Sequence, residues 1–181
     1  MKGMLLIILS GLVNLLWAQT PERKIHVLAR AYGDSVCLRW APGSYEGWIE
    51  GNRYGYKIVR YTLMRNDRLL SEPDTTLLTP APILPYPLSE WEKRAGEEKY
   101  EAIAAQALYG TIISPTATIR DIRKKAEEQE QRYSLAMLAA DMSPAAARAL
   151  ALYFADRNVN KGEKYLYRIF FASDPEDRSS D

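Results

Sequence analysis

The spacing between apolar residues switches twice along this chain, from two to three-and-four and back to two, and that switch constrains the fold more than any other feature. Ile25, Val27 and Ala29 alternate with His26, Leu28 and Arg30, and Val36, Leu38 and Trp40 alternate with Cys37 and Arg39. Successive strand side chains point to opposite faces, so each run predicts a strand with one buried side. A third strand is expected from Tyr54 to about Met64, with Tyr56 and Ile58 on one face and Lys57, Val59 and Tyr61 on the other. Much later, Tyr165, Tyr167, Ile169 and Phe171 alternate with Leu166, Arg168, Phe170 and Ala172. Strands enclosing a helical stretch predict an α+β chain.

Turn chemistry separates these runs. Tyr32-Gly33-Asp34, Ala41-Pro42-Gly43 and Arg65-Asn66-Asp67 are turn sequences, and Arg68-Leu69-Leu70 is a short return strand. Ser44 to Arg53 reads as loop. Thr79 to Pro87 holds Pro80, Pro82, Pro85 and Pro87, which resist both ladder and helix and predict an extended connector.

About three helices are expected beyond it. Ser89 and Glu92 have capping-box spacing, and the helix they open runs to Gly110, weakened at Gly96. A second runs from Thr118 to Ala140. A third starts at Ser143-Pro144, carries Ala147, Leu150, Ala151 and Phe154 as its stripe, widened by Leu152 and Tyr153, and ends over Asp156 to Gly162.

The N-terminus reads as an export signal. Lys2 precedes an apolar run from Met4 to Leu16, shorter than the roughly 20 residues of a membrane span. Cleavage is expected after Ala18; the alternative is an uncleaved anchor. Export implies an oxidising compartment, the periplasm, outer-membrane surface or extracellular space. With Cys37 as the single cysteine, no internal disulfide forms, and the fold relies on its core. Cys37 is either a buried strand thiol or a point of pairing with another chain.

Three segments carry a resemblance. DSVCLRWAP, from Asp34 to Pro42, resembles the second strand of fibronectin type III domains, which carries a core tryptophan shortly before a proline, here Trp40 and Pro42. GYKIVRY, from Gly55 to Tyr61, resembles the third strand, with Tyr56 at its aromatic core position. EKYLYRIFFASD, from Glu163 to Asp174, resembles the sixth, with Tyr165 at the tyrosine-corner position and Tyr167 and Ile169 next inward. The whole also resembles the leading segment of long exported proteins of the Bacteroides type. The resemblance implies a fibronectin-III/Ig-like antiparallel β-sandwich, incomplete in its last strand, with an inserted helical segment. The implied core is Val36, Leu38, Trp40, Tyr56, Ile58, Tyr165, Tyr167 and Ile169. The implied organisation is a signal peptide at 1–18, the sandwich at 22–72 plus 160–175, the helical insertion at 73–159 and a disordered tail at 176–181.

Chemistry is sparse. Lys plus Arg number 24 against 23 for Asp plus Glu, so charge gives no reason to expect a nucleic acid. His26, the single histidine, has no evident nucleophile beside it. Glu90 with Glu92, Glu97 with Glu98, and Glu127 with Glu128 and Glu130 lie among lysines and arginines, as solvated helix faces do. One His and one Cys do not build a metal site, and no phosphate-binding glycine loop is present, so no cofactor is expected. Tyr45, Trp48 and Tyr54 are candidate ligand-stacking aromatics; the alternative is that they pack against the helices. The expected function is a non-catalytic protein-interaction or spacer module of an exported envelope or secreted protein. Its partner is another protein or further domains of a longer chain, with no transmembrane span after signal cleavage. The alternative is an accessory N-terminal segment of a larger envelope enzyme acting on glycans or peptides.

Overall fold

The computed structural model describes residues 24–94, 98–110 and 119–173, with side chains from 124 onward in the last stretch. The signal segment and the tail expected to be disordered lie outside these residues. The elements are β1 (Ile25–Tyr32), β2 (Ser35–Pro42), α1 (Tyr45–Tyr54), β3 (Tyr56–Arg65), β4 (Arg68–Leu77), α2 (Leu88–Arg94), α3 (Lys99–Tyr109), α4 (Ile119–Met142), α5 (Pro144–Ala149), β5 (Tyr153–Asp156) and β6 (Glu163–Phe171). They form an α+β structure with two three-stranded antiparallel sheets, ordered β1-β2-β5 and β4-β3-β6.

The inner faces of the sheets meet at aromatic contacts. Trp40 of β2 lies edge-on to Tyr56 of β3, with centroids 5.5 Å apart, and Tyr56 lies 5.6 Å from Phe171 of β6. Leu38, Trp40, Tyr56, Ile58 and Ile169 are buried, while Val36, Tyr165 and Tyr167 are half-buried. Burying each large apolar side chain contributes about 1.5–3 kcal/mol, which substitutes for the missing disulfide. The β3–β4 hairpin turns at Asn66 and Asp67, both at positive φ (51° and 59°), as a two-residue turn matched to strand twist requires.

The helix expected to run from Ser89 to Gly110 is two, α2 and α3, with Glu98 extended at the N-cap of α3, and local readings change in four further places. Residues Ser44 to Arg53, expected as loop, build α1. Ser44 caps it by accepting from the Gly47 N–H at 3.3 Å. Gly47 and Gly51 hide the helix because glycine has poor helix propensity, but Gly51 is required. A Cβ there would lie 1.9 Å from the Tyr56 hydroxyl. Ser89 does not cap the helix expected to follow it: α2 begins at Leu88, two residues before the expected Glu90, with the Pro87 carbonyl accepting from Glu90 and Trp91. The return strand extends to Leu77, passing Pro73 on the sheet edge, where a missing N–H is tolerated.

The fourth change is the largest. Residues 150–156 do not continue the third helix. Ala151 takes φ 58°, its N–H bonds to the Arg148 carbonyl, and the Leu152 N–H reaches back to Ala147. That is a Schellman stop with alanine where glycine is usual. The chain then pairs as β5 against β2, Leu38 opposite Phe154. The stretch between β3 and β6 therefore holds four described helices and two strands, β4 and β5, and it is not looped out. Ala104, Ala107, Ala136, Ala139, Ala146, Ala147 and Ala149 are buried in one apolar cluster with Trp48, Trp40 and Tyr56. Tyr133 of α4 donates its hydroxyl to the Pro42 carbonyl at 2.6 Å.

Candidate interaction surface

The aromatic candidates separate. Tyr45, Trp48 and Tyr54 all lie on α1. Trp48 is buried, with its ring 6.3 Å from Tyr133 of α4, so it packs against the helices. Tyr45 and Trp48 line a cavity of about 260 Å³ between α1, Leu108 and Arg132. Tyr54 is outside that lining and stands 43% exposed, with the Arg53 guanidinium 5.1 Å from its ring centre.

The other sequence candidates stand apart. His26 is exposed on the outer face of β1. Cys37 is half-buried, with Sγ 3.1 Å from the Tyr153 hydroxyl. Glu90 pairs with Lys93, and Glu98 accepts from Ser143 at 2.7 Å. Glu97 lies outside the described residues. Among the described residues, no group of three or more His, Cys, Asp or Glu is placed to hold a metal ion, and no helix is long and apolar enough to cross a membrane.

Sequence reasoning missed a polar end to the space between the sheets. Arg60 of β3 is in phase with Tyr56 and Ile58, so its side chain points inward. It donates to Asp156 Oδ2 of β5 at 2.9 Å and also to the Asn158 carbonyl. The Tyr167 hydroxyl donates to the same Asp156 oxygen at 3.0 Å, and the Asn158 N–H to Oδ1 at 3.0 Å. Asp156 is 3% exposed and Arg60 7%. Burial, followed by the Asp156 charge, pushes the Tyr167 phenol far above its ordinary range. Beyond it, Glu163 accepts from the Tyr165 hydroxyl at 2.6 Å, from Arg65 and from Asn160. The Tyr165 hydroxyl first, then Arg65 and Asn160, hold the Glu163 carboxyl down at about 2. This network rigidifies β6 and sets the tyrosine rings along one wall of a groove.

That groove follows from a mismatch between the sheets. Val27, Ala29 and Ala31 of β1 stand opposite Trp40, Leu38 and Val36 of β2 and so share the inward face. Yet all three are exposed, Val27 at 37%. Among the described residues the facing sheet ends at β6, and β1 overhangs it. Between Ala29 and Ala31 on one side and Tyr165 and Tyr167 on the other lies a cavity of about 530 Å³, floored by Val36. Its volume is in the range that holds a ligand or a set of inserted side chains.

The edge of β6 borders this groove. Ile58 donates its N–H to Thr79 Oγ1 and accepts from the Leu78 N–H, both at 2.8 Å and both on the β4 side. Its antiparallel neighbour Ile169 therefore turns its own N–H and C=O away from β3. The ladder alternates, so Tyr167 and Tyr165 do the same. Among the described residues no strand lies on that side of β6. One strip of the molecule thus combines outward-pointing backbone hydrogen-bonding groups with an uncovered inward face. No protein-family model, curated protein or solved structure matches this chain.

Proposed function

We propose that the chain is a non-catalytic protein-interaction module of an exported protein, built on a fibronectin-III/Ig-like sandwich whose seventh-strand position is unfilled among the described residues. The strand order β1-β2-β5 over β4-β3-β6 supports the sandwich reading, because it is the order that resemblance implies with one edge strand removed. The observation that carries the interaction reading is the overhang of β1 beside the β6 edge. A long, uncovered edge is a template for pairing, and isolated proteins normally protect it. Here it borders apolar residues that face inward without a cover.

The test is amide hydrogen exchange on the mature chain, alone and with its native envelope extract. Protection that rises at Tyr165, Tyr167 and Ile169 but stays constant along the β4 edge supports the reading. Unchanged exchange at those three amides overturns it.

A further inference from the structure

The cavity between α1 and α4 shares no residue with the groove beside β6. We infer that it is a binding site for a small anion, a single hydroxylated ring carrying a carboxylate. Its size, its walls and its charge each specify a part of that ligand.

Size limits the occupant to one ring. The cavity holds about 260 Å³. A void of about 150 Å³ already admits benzene, while sites for drug-sized ligands start at roughly 300 Å³. The walls favour a ring over a bare ion. Tyr45, Trp48, Ile49 and Asn52 stand at i, i+3, i+4 and i+7 of α1 and so share one helix face. With Leu108 of α3 they give the cavity an aromatic and aliphatic side, where a ring stacks and buries its C–H surface.

Charge selects an anion. Arg53 and Arg132 both line the cavity, and among the described residues no carboxylate does. Arg53 lies over the Tyr54 ring, and among the described residues neither guanidinium has a carboxylate partner. Arg132 is held in place. Its Nε and one terminal nitrogen donate to the Ala107 and Leu108 carbonyls, both at 2.7 Å, which caps the end of α3. The other terminal nitrogen, with two N–H donors, stays unbonded among the described residues. A planar guanidinium fixed before binding loses little freedom when it pairs with a carboxylate.

The hydroxyl follows from two further atoms. Trp48 is 3% exposed. Its indole N–H and the Asn52 Oδ1 are buried with no hydrogen-bond partner among the described residues. Unbonded buried groups carry their full desolvation penalty. The ligand relieves it by offering an acceptor to the indole and a hydroxyl donor to the amide oxygen.

The test is an NMR titration of the chain, read at the indole N–H signals. Trp48 reports the cavity, while Trp40 and Trp91, outside its lining, are internal controls. The probes are 4-hydroxybenzoate and glucuronate, with their methyl esters as uncharged controls and inorganic phosphate as an anion without a ring. One of the two acids is expected to move the Trp48 signal saturably, with Kd about 1 mM or tighter, while Trp40 and Trp91 hold still. Which acid does so decides between an aromatic and a sugar ring. Its methyl ester is expected to bind ~tenfold more weakly, having lost the charged pairing. Arg132→Gln should weaken binding too, but it also uncaps α3. Gln129→Glu therefore decides: it sets a carboxylate three residues before Arg132 on the same helix face, and should abolish binding with circular dichroism unchanged. If neither acid moves the Trp48 signal, or Gln129→Glu binds as wild type does, the site is refuted. An ester as tight as its acid overturns the anion assignment, and phosphate as tight as the acids overturns the ring. None of these outcomes bears on the β6 edge, whose test is read at Tyr165, Tyr167 and Ile169.

Discussion

Replacing Asp156 with alanine leaves the Arg60 guanidinium buried without its counter-charge. The Arg60 side chain is 9% exposed and that of Asp156 3%, so neither charge has much access to water. Breaking a buried pair by deleting one partner destabilises by about 3–5 kcal/mol, because the surviving charge stays desolvated. The Tyr167 hydroxyl and the Asn158 N–H lose their acceptor as well. A domain of this size has roughly 5–15 kcal/mol in total, so the loss is a large share of it. At a urea slope of about 2 kcal/mol/M, the midpoint falls by roughly 2 M. The assay is urea unfolding followed by tryptophan fluorescence, since Trp40 sits in the core against Tyr56. Replacing both partners, Arg60→Met with Asp156→Leu, should recover most of the loss, because a well-packed apolar pair avoids the desolvation. If Asp156→Ala unfolds within about 1 kcal/mol of wild type, Arg60 is solvated. The claim that β3 and β5 face each other at this end is then wrong.

Three further outcomes are expected. Gly51→Ala should lower stability by about 1–3 kcal/mol through overpacking against the Tyr56 hydroxyl, even though alanine favours helix; a more stable variant in thermal melts would refute the packing of α1 on β3. Glu163 is depressed in the folded state, so its contribution is complete above its ordinary value of 4.5 and is lost as pH falls towards about 2. The melting temperatures of wild type and Glu163→Gln should therefore converge across that window, and a constant gap would mean that the Tyr165 and Arg65 bonds do not form in solution. Joining residue 72 to residue 160 through a short linker removes the end of β4, the whole of β5 and Asp156. The β-type circular dichroism should collapse, and a folded product would show that the first sheet does not need β5.

The inward rows were legible because alternation is a local property. Leu38 and Trp40, Tyr56 and Ile58, and Ile169 are all buried on the side their phase predicts. The same phase put Arg60 inside, but its partner was hidden. Asp156 ends a four-residue strand whose Tyr153 and Phe154 extend the apolar stripe of the helix before it. The stop between them is made by an alanine at positive φ rather than by the glycine that would have announced it. Helix α1 was illegible for the opposite reason: its glycines serve tertiary packing against Tyr56 at the expense of local propensity. The aromatic trio was legible as a cluster along the chain, but helical geometry sends Trp48 inward and Tyr54 outward. The groove could not be read at all. Val27, Ala29 and Ala31 alternate in the same way whether or not a neighbour covers them, and coverage depends on how far the opposing sheet extends.

The position of β5 dictates an order of assembly. The β3–β4 hairpin closes through a two-residue turn and forms early on local contacts. The strand pairing Val36 with Asp156 must instead wait for a loop that contains every described helix. Such distant pairings slow folding, because chain entropy is lost before the contact forms. The packed alanine helices shorten that loop by bringing the chain back beside β2. Until they do, β2 is a bare ribbon flank, and a nascent chain exposes a margin that β5 covers in the finished fold.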